Sequence, residues 1–184
     1  MKLRRHRSTS KKLSVFKALL LTNLMAFSSL ALSYSNTFLL IEGVKGESQY
    51  ANYKGGIEIE SWSWATSQSE KGRCLLDIQD MSITKYADIA SAPLLIAQAT
   101  GEVYPTAVLV VLDSSAVGTG GGNPGEYVRV ELTNAMVTSL ATNGTSSDSR
   151  LTEDLELSFE QLQITYTSRD GSQSTTAAVS NNCN

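Results

Sequence analysis

At 184 residues, 41% of them hydrophobic and 18% charged, the chain is long enough to bury a proper single-domain core. Seven of its 15 basic residues fall before residue 18 with no acid among them, so beyond residue 33 the balance is 8 basic against 18 acidic, a net charge of −10. A body this acidic lacks the basic footprint of a nucleic-acid binder and is repelled by an anionic membrane surface.

Residues 1–33 read as a leader. Lys2, Arg4, Arg5, Arg7, Lys11, Lys12 and Lys17 precede an apolar run over 18–32, and Ala31 and Ser33 stand at −3 and −1 before Tyr34. That is the pattern of a secretory signal peptide. The run is about 15 residues, short of the roughly 20 that a permanent span needs, so no stable membrane insertion is expected after leader removal. The expected location is secreted, periplasmic or cell-surface; a start site placed elsewhere would leave the product in the cytoplasm.

Residues 37–44 (TFLLIEGV) form a first strand, and a polar loop follows to Gly56. Residues 57–65 (IEIESWSWA) alternate, but the two isoleucines and the two tryptophans fall on opposite faces. A bulge near Glu60-Ser61 resolves the conflict, because one extra residue flips the phase. After a polar connection over 66–73, residues 74–85 form another strand. Next comes the one convincing helix: Asp88 or Ser91 caps it, Pro93 sits in its first turn, and Gly101 suits its C-terminal turn. Leu94, Leu95, Ile96, Ala97 and Ala99 supply its apolar surface over about 14 Å. So short a helix must be held by packing.

Residues 106–112 are continuously apolar, as expected of a strand buried on both faces, and the glycine-rich stretch 118–125 makes a hairpin connection. Residues 127–138 alternate, with Val128, Val130 and Leu132 on one side. Leu155, Leu157 and Phe159 alternate too, and Leu162, Ile164 and Tyr166 continue in the opposite phase, which places a bulge near Glu160-Gln161. The Ser/Thr/Asn-rich tail 168–184 is expected to be disordered unless Cys183 anchors it. At least six strands and one short helix imply a mainly β domain over 34–167, closed or nearly closed as a barrel or sandwich.

Little points to chemistry. The single histidine, His6, lies in the leader, so no imidazole remains to serve as a general base or zinc ligand. The glycine run lacks the Lys-Ser/Thr of a phosphate-binding loop. Glu58 with Glu60, and Glu153 with Asp154 and Glu156, are paired carboxylates that read as solvated faces or assembly contacts; Asp77, Asp80 and Asp88 lack calcium-loop spacing. Trp62 and Trp64 read as core or interface aromatics. The expected function is non-enzymatic and needs no cofactor. Cys74 and Cys183 either form a disulfide, contributing roughly 4–5 kcal/mol by closing so long a loop, or stand as a packed and a free thiol.

The segments VKGES (44–48), IEIESWSWATSQS (57–69), DMSITKY (80–86), 90–95, 126–139 with its Tyr-x-x-Val-x-Leu pattern, and LTEDLELSFEQLQITY (151–166) occur in order. Together they resemble the haemolysin-coregulated protein (Hcp) family, the tube protein of type VI secretion systems, over residues 38–167. The resemblance implies two antiparallel sheets forming a β-barrel flanked by one helix. It also implies a homo-oligomer, a hexameric ring that stacks into a tube, carries effector cargo and is capped by a spike protein. By the family pattern the loop with Gly43, Lys45, Gly46, Glu47 and Ser48 sits between stacked rings. The familiar tube protein has no signal peptide, so the leader keeps a second reading open: an exported Hcp-like binding or structural module outside a type VI apparatus.

Overall fold

The computed structural model describes residues 37–68, 76–113 and 125–180, all within one compact unit spanning Ser35–Asn184. The leader, most of the glycine run, Cys74 and Cys183 lie outside the described residues, and with them the signal-peptide and disulfide expectations.

The elements run β1 (Thr37–Ile41), a 3-10 turn (Ala51–Tyr53), β2 (Ile57–Ser63), β3 (Thr66–Gln68), β4 (Leu76–Ile78) and β5 (Met81–Tyr86). They continue with α1 (Ser91–Thr100), β6 (Val103–Leu112), β7 (Glu126–Asn143), β8 (Thr152–Ser158), β9 (Gln161–Thr167) and β10 (Ser174–Ser180). Eight strands form one antiparallel sheet in the order β10-β9-β7-β6-β1-β2-β5-β8, and an additional β7–β8 pairing closes six of them into a barrel. β3 and β4 form a separate two-stranded sheet.

Closure depends on β7, whose 18 residues serve several partners. Val103–Leu112 of β6 lines its first part on one edge; β9 takes Val128 to Thr133 on the other edge, and β8 takes Met136 to Asn143. The strand runs past residue 138, where the sequence pattern ends: Leu140 packs partly against the core, while Ala141, Thr142 and Asn143 are exposed. Asn134, at φ +52°, breaks the alternation between Leu132 and Ala135.

Both expected phase changes are present. The β2–β5 register shifts between Ile59 and Ser61. On the last stretch, Leu155, Leu157 and Phe159 point inward, then Leu162 and Ile164, with Glu160 and Gln161 exposed at the break; Tyr166, expected in phase with them, is 46% exposed.

Two apolar clusters hold the fold. The barrel interior contains Leu39, Ile57, Ile59, Met81, Ile83, Leu109, Val130, Leu132, Leu155, Leu157 and Leu162. A second cluster of Phe38, Tyr53, Val108, Val110 and Leu112 lies on the other face of β1 and β6. That is why residues 107–110 are buried on both faces.

Further expectations change. The strand expected over 74–85 divides into β4 and β5 around Gln79-Asp80, and β4 pairs with β3 in the stretch expected as a connection. The tail is not disordered throughout, since Ser174–Ser180 pairs with β9 along its full length. Leu95 and Ile96 do not pack: they are 55% and 61% exposed, while Leu94, Ala97 and the preceding Ala90 are buried. The helix lies against β7 and ends at Gly101, whose φ of +67° lets its N–H reach the Ala97 carbonyl.

Candidate assembly surface

The loop after β1 is a fixed structure. Gly43 turns the chain at φ +85°, and the Val44 N–H donates to the Ile41 carbonyl at 3.1 Å. Residues 44–49 then alternate, with Val44, Gly46 and Ser48 buried and Lys45, Glu47 and Gln49 exposed. The Gly46 N–H donates to Gly55 O, Gly55 N–H to Ser48 O, and Ser48 N–H to Gly56 O, at 2.8, 2.8 and 3.0 Å. Gly46 passes so close to the Gly56 backbone that no Cβ fits there.

The far end of the loop is anchored by aromatics. Tyr53 stacks on Phe38 with centroids 5.1 Å apart, Tyr50 lies 5.4 Å from the same ring, and the Tyr53 hydroxyl donates to Glu126 Oε2 at 3.0 Å. This packing covers the outer face of β1 and β6, where a strand apolar on both sides otherwise meets water. The result is a rigid ridge that presents one cation and one anion, Lys45 and Glu47, side by side on its solvent edge.

A recess of about 470 Å³ beside the ridge is lined by Glu47, Glu58, Tyr86, Ala87, Asp88 and Arg150. Arg150 lies over the Tyr86 ring at 4.2 Å from its centroid. Tyr86 and Asp88 connect the recess to a buried polar knot. Lys85 Nζ donates to Glu153 Oε2 at 2.7 Å, the Tyr86 carbonyl at 2.8 Å and Ser91 Oγ at 3.2 Å, and forms an ion pair with Asp88 Oδ1 at 2.9 Å. The Ser91 hydroxyl also donates to Glu153 Oε2 at 2.7 Å. Burial pushes the Glu153 carboxyl up, but the hydrogen bonds and charge of Lys85, with the Ser91 and Thr142 hydroxyls, hold it net below the usual carboxylate range. The knot ties β5 and β8 to the start of α1.

The capping at that start is indirect. Ala90 occupies the N-cap position without a side-chain bond; Asp88 Oδ1 accepts from the Ala90 N–H and Ser91 Oγ from the Asp88 N–H, both at 3.1 Å. Sequence reasoning singled out Asp88, Ser91 and Glu153 separately and passed over Lys85. The one signal available was a lone lysine, Lys85, in an alternating strand whose other inward residues, Met81 and Ile83, are apolar.

The remaining residues of interest disperse. Trp62 and Trp64 are half-buried and pack against the barrel core, with Trp62 opposite Ile83. Trp64 borders a second recess, of about 420 Å³, with Asp80 and Glu156. Asp77 lies on β4, Asp80 accepts from the Thr138 hydroxyl, and Asp88 belongs to the knot. Among the described residues no three His, Cys, Asp or Glu side chains converge on a metal-sized site. Glu153 points inward while Asp154 and Glu156 point outward, so they do not form a paired acid and base.

A rigid closed barrel with a pinned surface ridge and a buried ion cluster used for tying strands defines a structural building block. Comparison with known proteins places it within that class. The family model described as "Type VI secretion system effector, Hcp" matches residues 38–166. A curated relative, Protein hcp1 of Pseudomonas aeruginosa, is 35% identical over 136 residues, covering 70% of this chain and 81% of the relative. The crystal structure of Hcp1 from Salmonella typhimurium superposes with a TM-score of 0.65 at 29% identity, over 78% of this chain and 92% of that one. A type VI secretion system effector from Yersinia pestis, at 24% identity and a TM-score of 0.67, covers 78% of this chain and 98% of that one and shares the fold. The chain belongs to the Hcp family: it is an Hcp-type tube protein of type VI secretion, structural in kind.

Proposed function

We propose that this chain is a non-enzymatic ring subunit: six copies close a ring, rings stack into a tube, effectors occupy the bore, and a spike protein caps the end. The observation that carries the reading is the family match over residues 38–166, which takes in the six barrel strands, β1 from Phe38 onward, and the ridge.

The ridge supports a stacking role for Gly43, Lys45, Gly46, Glu47 and Ser48. Backbone bonds at Gly46, Ser48 and Gly55 fix its shape, so Lys45 and Glu47 project in the same geometry from every copy. A repeated contact between identical subunits needs that reproducibility, because ordering a mobile loop at each interface costs entropy. Adjacent opposite charges also let one ridge meet an oppositely ordered pair without a like-charge clash. Half-buried Trp62 and Trp64 suit a subunit boundary, where a large ring can finish burying its area.

The leader-like residues 1–33 favour a second reading, in which the same ring former is exported as a free module and Cys74 pairs with Cys183 in an oxidising compartment. The ridge role is tested with Glu47→Lys in the full chain, followed by sedimentation and negative-stain imaging. The expected result is rings of unchanged mass that no longer stack. Stacks as abundant as those of the unaltered chain would overturn the assignment of the ridge.

A further inference from the structure

Among the described residues, the outermost strand of the sheet has one unpaired edge. β10 pairs with β9 from Ser174↔Thr167 to Ser180↔Gln161, and among the described residues no strand pairs with its other side. Edge strands are normally protected by charge, proline, a bulge or a covering element. β10 reads STTAAVS, with no charge and no proline; its register with β9 is unbroken, and six of its seven side chains are exposed.

The hydrogen-bond pattern decides which backbone groups face outward. The Ser168 N–H donates to the Gln173 carbonyl at 2.9 Å, so these two residues form a hydrogen-bonded pair. Hydrogen-bonded and non-hydrogen-bonded pairs alternate along an antiparallel ladder. Thr175, Ala177 and Val179 therefore bond to β9 across from Tyr166, Ile164 and Leu162. Ser174, Thr176 and Ala178 turn their N–H and C=O groups away from it.

We propose that β10 pairs antiparallel with β10 of a second copy of this chain, about a twofold axis through Ala177. In that register Thr176 lies opposite the partner's Ala178 and exchanges both backbone hydrogen bonds with it. Ala177 meets the partner's Ala177 as a non-hydrogen-bonded pair, with Cα atoms about 4.5 Å apart. Thr175 faces the partner's Val179. The outward-facing set is self-complementary, as an isologous contact requires, and no charge or bulky side chain opposes another. A twofold contact of this kind is separate from the head-to-tail contacts that close a ring, so it would join two rings or two tubes.

Cysteine cross-linking of the full chain tests the register. With Cys74→Ser and Cys183→Ser as background, Ala177→Cys should form a disulfide-linked dimer under mild oxidation, and Ala178→Cys should form far less. Adding Thr176→Pro removes an outward N–H while leaving the β9 ladder intact, and should abolish the cross-link without changing the circular dichroism spectrum. Equal cross-linking at 177 and 178, or cross-linking that survives Thr176→Pro, overturns the proposal. Because the serine background can itself perturb folding, amide exchange on the unaltered chain gives an independent reading. The Thr176 and Ala178 amides should gain protection as protein concentration rises, and concentration-independent exchange at both would overturn it.

Discussion

Lys85 and Glu153 stand 68 positions apart in sequence and meet at 2.7 Å with both side chains buried. Neither has water to solvate its charge, so each depends on the other and on Asp88 and Ser91. Removing one partner strands a buried charge, which costs about 3–5 kcal/mol, whereas replacing both with apolar groups can be nearly neutral. Lys85→Met should therefore lower stability by about that amount in urea unfolding. The double variant Lys85→Met/Glu153→Leu should recover part of the loss. A Lys85→Met variant as stable as the parent would show that the knot contributes nothing.

The same knot sets an acid limit. The folded Glu153 carboxyl titrates below its usual value of 4.5, so as pH falls the unfolded chain takes up its proton first. The stabilisation is complete well above pH 4.5 and is lost as pH falls through the folded value. Urea midpoints measured from pH 6 down to pH 3 should decline below about pH 4.5, and Glu153→Gln should flatten that part of the decline.

The helix offers a paired test of orientation. Leu94 is fully buried and Leu95 is mostly exposed. Leu94→Ala should cost about 2–5 kcal/mol, and Leu95→Ala should stay within about 0.5 kcal/mol. Equal losses at the two positions would mean that the helix is rotated.

Gly46 tests the rigidity of the ridge. A methyl group there meets the Gly56 backbone, so the two loop segments must separate. Gly46→Ala should cost about 1–3 kcal/mol and increase protease cleavage within residues 43–56. Unchanged stability would mean that the two segments are not held together.

Much of the barrel can be read in the sequence because its strands are amphipathic. Ile59 and Trp62 cannot share a face without an extra residue between them, and the same holds for Phe159 and Leu162, so both breaks are visible before any coordinates. Pro93 and Gly101 likewise mark the helix ends. The inward face of the helix is not legible, since Leu94, Leu95 and Ile96 are consecutive and equally apolar; only packing against β7 selects Leu94. β10 is illegible for the opposite reason: STTAAVS has no apolar alternation, and its pairing follows from the edge of β9. Lys85 looks like a surface lysine because its partner Glu153 belongs to another strand far along the chain.

The most direct measurement is the native mass and negative-stain image of the purified full chain. Rings of six that stack end to end are the expected result. A monodisperse monomer at every concentration would contradict it, leaving the Hcp barrel without the assembly that makes a tube.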